Sequence, residues 1–275
     1  MRLFFLTSLV MVAFAANSVL NRLALADGMI GPSAFAMIRV GSGALVLAVL
    51  VFWQDRRLVD LSEVSWVSTG ALSLYVLGFS YAYLTLGAAT GALILFGGVQ
   101  ITMFAGALSA RENMPTARWI GAGIAFGGLV FLLAPSADAP ALAGVVLMAA
   151  AALGWGIYSL YGRRIRRPLQ ATAANFLLSV PVALVVGLAV GDDLPIRAEG
   201  VGLAVLSGAV TSGLGYALWY LVLPRLASTV AAVAQLTVPV IALAGGMVFL
   251  GEVATVQFII ATALILGGVT ISIRR

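Results

Sequence analysis

Long apolar runs separated by short polar connections dominate the chain. Residues 64–110 contain no charged side chain. As a single helix this stretch would be about 70 Å long, more than twice the roughly 30 Å hydrocarbon core of a bilayer. It must therefore fold back on itself, and the small residues at 86–91 suit a tight turn. The pattern predicts a transmembrane helical hairpin with legs at about 65–86 and 89–109.

Similar apolar runs continue on both sides of this hairpin. They are too long and too continuous for the alternating strands of a membrane barrel, so the spans are predicted to be helical. Charged residues make up 9% of the chain, against roughly 25% in soluble domains. The expected fold class is an all-α integral membrane protein with ten spans. The predicted spans are about 3–25, 32–53, 65–86, 89–109, 115–133, 139–161, 170–190, 197–220, 226–249 and 253–273.

The basic residues are all arginine and lie mainly at the ends of these runs. Nearly all of them fall in loops on the side of the N-terminus, whereas the opposite loops carry Arg22 and Arg197. The positive-inside rule therefore predicts that both termini are cytoplasmic, in a multi-pass protein of the inner membrane. The high pI reflects this orientation rather than a nucleic-acid partner.

The chain also repeats itself at a nearly constant offset. The matched positions are Arg22 and Arg163, Gly106 and Gly246, Glu112 and Glu252, and Gly127-Gly128 and Gly267-Gly268. The predicted halves are 1–137 and 138–275, which together form one transport domain. With five spans each, the halves insert in opposite directions. Such inverted repeats are typical of transporters with a substrate site near the bilayer midplane.

Several of these segments together resemble the drug/metabolite transporter superfamily, in its ten-helix form built from two EamA-type repeats. Within it, the chain is similar to bacterial aromatic amino acid exporters of the YddG type. The resemblance implies a helical bundle around a central cavity and efflux of small metabolites from the cytoplasm. Phe14 departs from the pattern, because the family often has Trp there. The matching segments are Phe14–Asn17, Pro32 with Arg39, Arg111–Gly121, Gly154–Tyr158 before Arg163, and Gly251-Glu252 with Gly267-Gly268.

Aromatic residues are the first candidates for substrate binding. Tyr75, Phe79 and Tyr83 are spaced four apart, so they share one helical face. That face is interpreted as a wall for a planar substrate, and a lipid-facing or packing stripe is the alternative. Trp155 and Tyr158 lie too deep for an interfacial belt and are also assigned to the cavity.

The remaining aromatic residues of the spans divide by depth. Tyr216 is intermediate and is kept as a substrate-binding candidate. Trp219 and Tyr220, closer to the inner end of their span, are predicted to belong to an interfacial belt. Trp53 and Trp66 flank a charged inner loop and are predicted belt residues as well.

Three amides are predicted near mid-membrane depth: Asn17, Gln100 and Gln235. A neutral polar lining can bind an ammonium or a carboxylate without placing a charge in hydrocarbon. The alternative role is hydrogen bonding between helices.

Five further residues are assigned gating or structural roles. Arg39 is the one charge well inside a span, where helix pinning is favoured and capture of a substrate carboxylate is the alternative. Glu112 and Glu252 occupy equivalent helix starts, where a carboxylate interacts with the helix dipole; gating or proton coupling is the other reading. Pro181 and Pro239 are predicted in the middle of spans, where each should kink its helix.

The missing residue types narrow the function. There is no Cys and no His, and no Asp or Glu is predicted in the middle of a span, so we expect neither an enzyme nor a metal or cofactor site. We expect a monomeric exporter of small neutral metabolites, mainly aromatic and other amino acids, by alternating access. Without a buried carboxylate, transport should be driven by the substrate gradient. The alternative is a proton-coupled drug or metabolite antiporter of the same superfamily.

Overall fold

The structure, a computed structural model, describes residues 1–109, 111, 115–134, 139–162, 165–191, 194, 196–226 and 234–273. Every regular element in these ranges is helical. The helices, numbered in chain order, are α1 (Arg2–Ala26), α2 (Pro32–Asp55), α3 (Trp66–Ala82), α4 (Ala88–Ser109), α5 (Thr116–Leu132), α6 (Leu142–Gly162), α7 (Pro168–Val190), α8 (Ala198–Arg225), α9 (Val238–Leu250) and α10 (Val256–Ile273).

Length and composition divide these helices into two groups. Within the described residues, six are long and apolar enough to cross a membrane: α1, α2, α4, α6, α7 and α8. The shorter apolar helices are α5, α9 and α10. The predicted all-helical membrane class is confirmed, whereas the count of ten crossings stays a prediction.

The turn of the central hairpin comes earlier than the sequence pattern predicts. Helix α3 ends at Ala82 rather than near Leu86. The reason is a cap from another helix, since the Arg22 guanidinium of α1 donates to the carbonyl oxygens of Tyr83 and Leu84 at 2.9 and 3.0 Å. These carbonyls are satisfied without a further turn of helix, so the chain can leave the helix there.

The two proline predictions have different outcomes. Pro181 lies inside α7, as predicted. Pro239 lies in the first turn of α9 and not in the middle of a helix, because Leu236 and Thr237 form a turn and α9 begins at Val238. A first-turn proline loses no intrahelical hydrogen bond, so the predicted mid-span kink at Pro239 is wrong.

Helices pack in a regular set of pairs. Contacts join α5 to α10, α2 to α7 and α4 to α9. They also join α3 to α6 and α1 to α8, α4 to α6 and α1 to α9, and α3 to α7 and α2 to α8. Side-chain contacts of Asn17 with Tyr75, Phe14 with Trp155, and Trp155 with Tyr216 join the α1–α8 pair to the α3–α6 pair.

Glycines allow these pairs to approach closely. A Cβ on Gly154 of α6 would lie 2.5 Å from the Ala71 carbonyl oxygen of α3, and a Cβ on Gly268 of α10 would lie 2.6 Å from the Gly121 carbonyl oxygen of α5. Small residues of this kind are the usual means of packing helices in a membrane, where close backbone contact replaces the hydrophobic effect.

Helix α8 changes its winding in the middle. Residues Ser207–Leu214 form a π-helix between two α-helical segments. This segment packs on α1 and α2. At the crossing with α2, a Cβ on Gly43 would lie 3.0 Å from the Gly208 carbonyl oxygen, and a Cβ on Gly208 would lie 2.7 Å from the Arg39 carbonyl carbon. The π segment therefore sits in direct backbone contact with the part of α2 that carries Arg39.

We predict that Gly208→Ala destabilises the protein by about 1–3 kcal/mol, because the added methyl meets backbone that cannot yield. The melting temperature of the purified protein in detergent should fall. Gly202→Ala on the same helix is the matched control, since its Cβ would meet nothing within 4 Å. It should leave the melting temperature unchanged or raise it, because alanine is the better helix former. Equal melting of the two variants would contradict the close α2–α8 contact.

Candidate functional site

Buried aromatic side chains from α1, α3, α6, α7 and α8 form one connected group, here called the aromatic cluster. Along α3, the Tyr75 and Phe79 ring centroids are 5.3 Å apart, and those of Phe79 and Tyr83 are 4.7 Å apart. The three rings thus share one face, as their spacing predicts. The members of the cluster are Phe14, Tyr75, Phe79, Tyr83, Trp155, Tyr158, Phe176, Tyr216 and Trp219.

Trp155 lies at the centre of the aromatic cluster. Its ring centroid is 5.0 Å from that of Tyr75 and 4.9 Å from that of Tyr216, and it stacks on Tyr158 at 5.7 Å. The Phe14 ring meets it edge-on at 6.1 Å. These centroid separations lie in the range that aromatic pairs prefer, and the Phe14 pair also has the preferred edge-to-face angle of 82°. The indole therefore links α1, α3, α6 and α8.

A group of hydrogen-bonded polar side chains borders the aromatic cluster and is here called the polar cluster. Asn17 of α1 is its hub: the amide oxygen accepts from the Ser207 and Thr211 hydroxyls at 2.5 and 3.2 Å. The Asn17 amide nitrogen lies 3.3 Å from the Tyr75 hydroxyl, to which it donates. The members are Asn17, Asn21, Arg39, Tyr75, Ser80, Ser207, Thr211 and Ser212.

Arg39 supplies the positive charge of the polar cluster and is only 1% exposed. Its Nε donates to the Ser212 hydroxyl at 3.1 Å, and Nη2 donates to the Tyr75 hydroxyl at 2.9 Å. Its Cζ lies 4.9 Å from the Phe79 ring centroid and 5.2 Å from that of Tyr75, so two aromatic faces also stabilise the cation. All its partners among the described residues are neutral.

Two buried polar atoms at these clusters have no hydrogen-bond partner in the described part of the chain. One is Nη1 of Arg39 and the other is the hydroxyl of Tyr216. Unpaired polar atoms in a protein interior cost free energy, and a charged donor costs most. They are therefore the atoms at which a ligand would gain most by binding.

A second line of polar contacts runs between α3 and α7. Thr69 donates to the Asn175 amide oxygen at 3.1 Å, and the hydroxyls of Ser73 and Ser179 are 3.1 Å apart. Both helices begin on the predicted cytoplasmic side, and Tyr75 lies two residues after Ser73. This seam therefore connects the start of α3 with the polar cluster.

The described structure separates the three predicted amides. Asn17 is buried at the polar cluster, while Gln100 and Gln235 are half-buried and make no hydrogen bond within the described ranges. A binding role for the other substrate candidates stays a prediction, although the structure brings them together. Those candidates are Tyr75, Phe79, Tyr83, Trp155, Tyr158 and Tyr216.

Sequence reasoning missed part of both clusters. Trp219 was assigned to an interfacial belt, but it is 5% exposed and its ring meets Phe14 at 6.0 Å. Phe176 of α7, whose ring meets Tyr216 at 5.5 Å, was not singled out. The hydroxyls of the π segment were also overlooked, although Ser207, Thr211 and Ser212 interrupt an apolar span at helical spacing.

Glu252 has a different partner from the one predicted. Its carboxylate accepts from the backbone N–H groups of Ala88 and Ala89 at 2.6 and 3.3 Å, so it caps α4 rather than the helix that follows it. The carboxylate also borders a cavity of about 200 Å³ between α4, α5 and α10. The partner prediction, for Glu112, lies outside the described residues.

Gln257 makes a second connection at the same end of the bundle. Its side-chain nitrogen donates to the carbonyl oxygens of Phe131, Leu132 and Ala134 at 2.9–3.2 Å, at the end of α5. Glu252 and Gln257 thus satisfy the start of one helix and the end of another from the opposite half of the sequence.

Comparison with protein families places these features in a known context. The model of the EamA-like transporter family matches residues 142–274. An uncharacterized protein of Pseudomonas aeruginosa is 43% identical over 98% of this chain and 94% of its own length.

Two more distant relatives are described as transporters. An uncharacterized transporter of Archaeoglobus fulgidus is 23% identical over 90% of each chain. The uncharacterized transporter YoaV of Bacillus subtilis is 26% identical over 87% of this chain and 86% of its own. A protein of known crystal structure matches with a TM-score of 0.67 at 20% identity, over 96% of this chain and 97% of the other, which shows a shared fold.

We predict that Glu252→Gln destabilises the protein by about 0.5–2 kcal/mol, because the start of α4 loses a charged acceptor. The melting temperature in detergent is the measurement. Glu199→Gln is the control, since Glu199 is exposed in the first turn of α8, and its loss should be the smaller of the two. An equal effect of both changes would mean that the Glu252 contacts with α4 add no stability.

Proposed function

Because the chain belongs to the EamA-like transporter family, we propose that it exports small neutral metabolites from the cytoplasm, chiefly aromatic and other amino acids. It is a multi-pass membrane transporter and not an enzyme. The observation that carries the proposal is the aromatic cluster lying directly against the polar cluster, since an aromatic amino acid needs both surfaces. Tyr75 belongs to both, with its ring against Trp155 and its hydroxyl bonded to Arg39.

When the proposed substrate binds, ring contacts between protein side chains would be replaced by contacts between those side chains and the ring of the substrate. Each well-placed aromatic pair is worth about 0.5–1.5 kcal/mol beyond the area it buries. A planar side chain inserted beside Trp155 would replace existing pairs with similar ones. The number of aromatic contacts would therefore change little when the protein opens or closes around such a substrate.

Inverted five-helix repeats at 1–137 and 138–275 are part of the proposal. The helix contacts support it: exchanging each helix with the one five places along turns the α3–α6 pair into α8–α1, and the α4–α6 pair into α9–α1. The clusters follow the same relation, because a single offset along the chain relates three pairs of their residues. These pairs are Phe14 and Trp155, Asn17 and Tyr158, and Tyr75 and Tyr216.

Alternating access would follow from this arrangement. The Phe14 ring of the first half contacts the Trp155 and Tyr216 rings of the second half at 6.1 and 5.8 Å. These contacts must part for one side of the site to open. Rocking of the halves about the clusters would expose the substrate to each side of the inner membrane in turn. We propose that both termini are cytoplasmic, as the arginine distribution predicts, and that a monomer suffices, because one chain supplies both clusters.

The proposed driving force is the substrate gradient. Within the described part of the chain, no carboxylate is hydrogen-bonded to a side chain of the aromatic or the polar cluster, and Glu252 is engaged at the start of α4. A proton-coupled drug antiporter, the other candidate, would need an ionisable group on the transport path. No specific contact of the described residues favours it.

We predict that proteoliposomes take up labelled phenylalanine and tryptophan, and that Tyr75→Ala and Trp155→Ala each reduce the initial rate about tenfold or more. The reason is that each change removes ring contacts of about 0.5–1.5 kcal/mol per pair together with buried area. Trp119→Ala is the control, because Trp119 is 50% exposed and its ring pairs with Phe104 outside the aromatic cluster. If Trp119→Ala lowers uptake as much as Trp155→Ala, the cluster is not the substrate site.

We further predict that this uptake proceeds without a pH gradient. Phenylalanine flux should change by less than about twofold when a proton ionophore is added, because no carboxylate is available at the clusters to carry a proton. Empty liposomes provide the background. Complete loss of flux with the ionophore would favour the proton-coupled antiporter.

A further inference from the structure

We propose that Arg39 is the recognition site for a substrate carboxylate, and that the carrier selects its ligands by this group and not by an ammonium. The inference rests on the proposed function, since it names the chemical class taken by the same site. The observation behind it is the unpaired Nη1 of Arg39 in a side chain that is 1% exposed.

The hydrogen bonding of Arg39 is incomplete in a specific way. A guanidinium has five N–H donors in a fixed fork. Here Nε and Nη2 each donate to one hydroxyl, of Ser212 and Tyr75, and this leaves the Nη1 edge without an acceptor among the described residues. A residue that served only to pin helices together would leave no such edge, because an unpaired charged donor costs free energy in hydrocarbon.

The charge of Arg39 is also not neutralised by an acidic group of the described chain. Its polar partners are hydroxyls and its other close neighbours are the Tyr75 and Phe79 rings. A buried cation held only by dipoles and π faces is stabilised further when an anion joins it. A carboxylate presents two oxygens that match the guanidinium fork, so it is the ligand group that fits best.

The Tyr216 hydroxyl is a second buried polar atom without a hydrogen-bond partner in the described chain. Tyr216 and Tyr75, which is bonded to Arg39, both lie against the Trp155 ring. The Tyr216 ring meets Trp155 at 4.9 Å and Phe14 at 5.8 Å, so the ring and the hydroxyl border both clusters. A carboxylate on Arg39 would accept from this hydroxyl while the attached aromatic group enters the aromatic cluster.

An ammonium group finds no equivalent partner. The Asn17 amide oxygen already accepts from Ser207 and Thr211, and no described carboxylate is hydrogen-bonded to a side chain of either cluster. The positive Arg39 guanidinium also repels a second cation in a medium of low dielectric constant. The site therefore accepts aromatic carboxylates whether or not they carry an ammonium, and it rejects aromatic amines.

The test is calorimetric binding to the full-length protein in nanodiscs, with four ligands that differ only in their charged groups. Phenylalanine and 3-phenylpropanoate keep the carboxylate, whereas phenethylamine and phenylalaninamide lack it. We expect the first two to bind within about threefold of each other, and the last two at least about tenfold more weakly, which is the usual range for losing a charge-assisted bidentate contact.

Three variants assign the selectivity to the residue. Arg39→Gln should weaken the binding of 3-phenylpropanoate at least about tenfold and abolish the preference for it over phenethylamine. Arg39→Lys should keep part of this preference, because lysine retains the positive charge but not the guanidinium fork. Because Arg39→Gln also removes bonds within the protein, Tyr216→Phe is included. The hydroxyl that this variant removes has no hydrogen-bond partner in the described chain, so the variant should fold normally. It should weaken the binding of the two carboxylate ligands only, by about threefold or more. Arg197→Gln is the control, since Arg197 is exposed directly before the start of α8, and it should keep the full preference.

The outcomes separate this inference from the proposed function. If phenethylamine binds as tightly as 3-phenylpropanoate, the carboxylate assignment is overturned, while amino acid export stands wherever phenylalanine is transported. If 3-phenylpropanoate binds and phenylalanine does not, the assignment of Arg39 stands and amino acid export fails. If none of the four ligands binds, or if Arg39→Gln retains the preference, the assignment is wrong.

Discussion

Burial of the Arg39 guanidinium is the constraint on which the centre of this bundle depends. A cation in hydrocarbon is tolerated only with dense polar compensation. That compensation comes from the Tyr75 hydroxyl of α3 and the Ser212 hydroxyl of α8, with ring faces on one side. To deliver it, α8 must pass close to α2, and Gly208 at the Arg39 backbone permits this approach. The π-helical winding of α8 spans the residues that bond to Arg39 and Asn17.

Aromatic contacts beside the polar cluster join helices from the two halves of the sequence. Phe14 of α1 and Trp155 of α6 come from different halves of the sequence, yet their rings meet beside the polar cluster. Ring pairs are individually weak and can be exchanged for equivalent pairs, whereas charge-assisted hydrogen bonds are stronger. A carrier that moves through several arrangements needs contacts of the first kind where its parts separate and of the second kind where they stay together. At this centre both kinds of contact cross between the two halves of the sequence, since Arg39 also bonds to Ser212.

The sequence predicted the helices better than the side-chain partners. Span positions follow from the requirement that every backbone group in hydrocarbon be satisfied within a helix, so apolar runs report them directly. The early end of α3 depended on the cap from Arg22, and the break before Pro239 on a local turn, neither of which hydropathy records. Trp219 lies near a span end by sequence and yet is buried against Phe14, because depth along a helix does not specify which face is covered. The separation of Asn17 from Gln100 and Gln235 likewise depended on tertiary contacts.

The distribution of charge connects the site with the energetics of the proposed transport. Most acidic residues lie at helix ends or in loops, and Glu252 is held by the backbone at the start of α4. Arg39, in contrast, carries a guanidinium, and this group is a fixed cation in proteins. A site built on Arg39 can therefore bind and release an anionic group, but it cannot exchange a proton in the process. The proposed recognition by a permanent cation and the proposed transport without proton coupling would both follow from the same choice of residue.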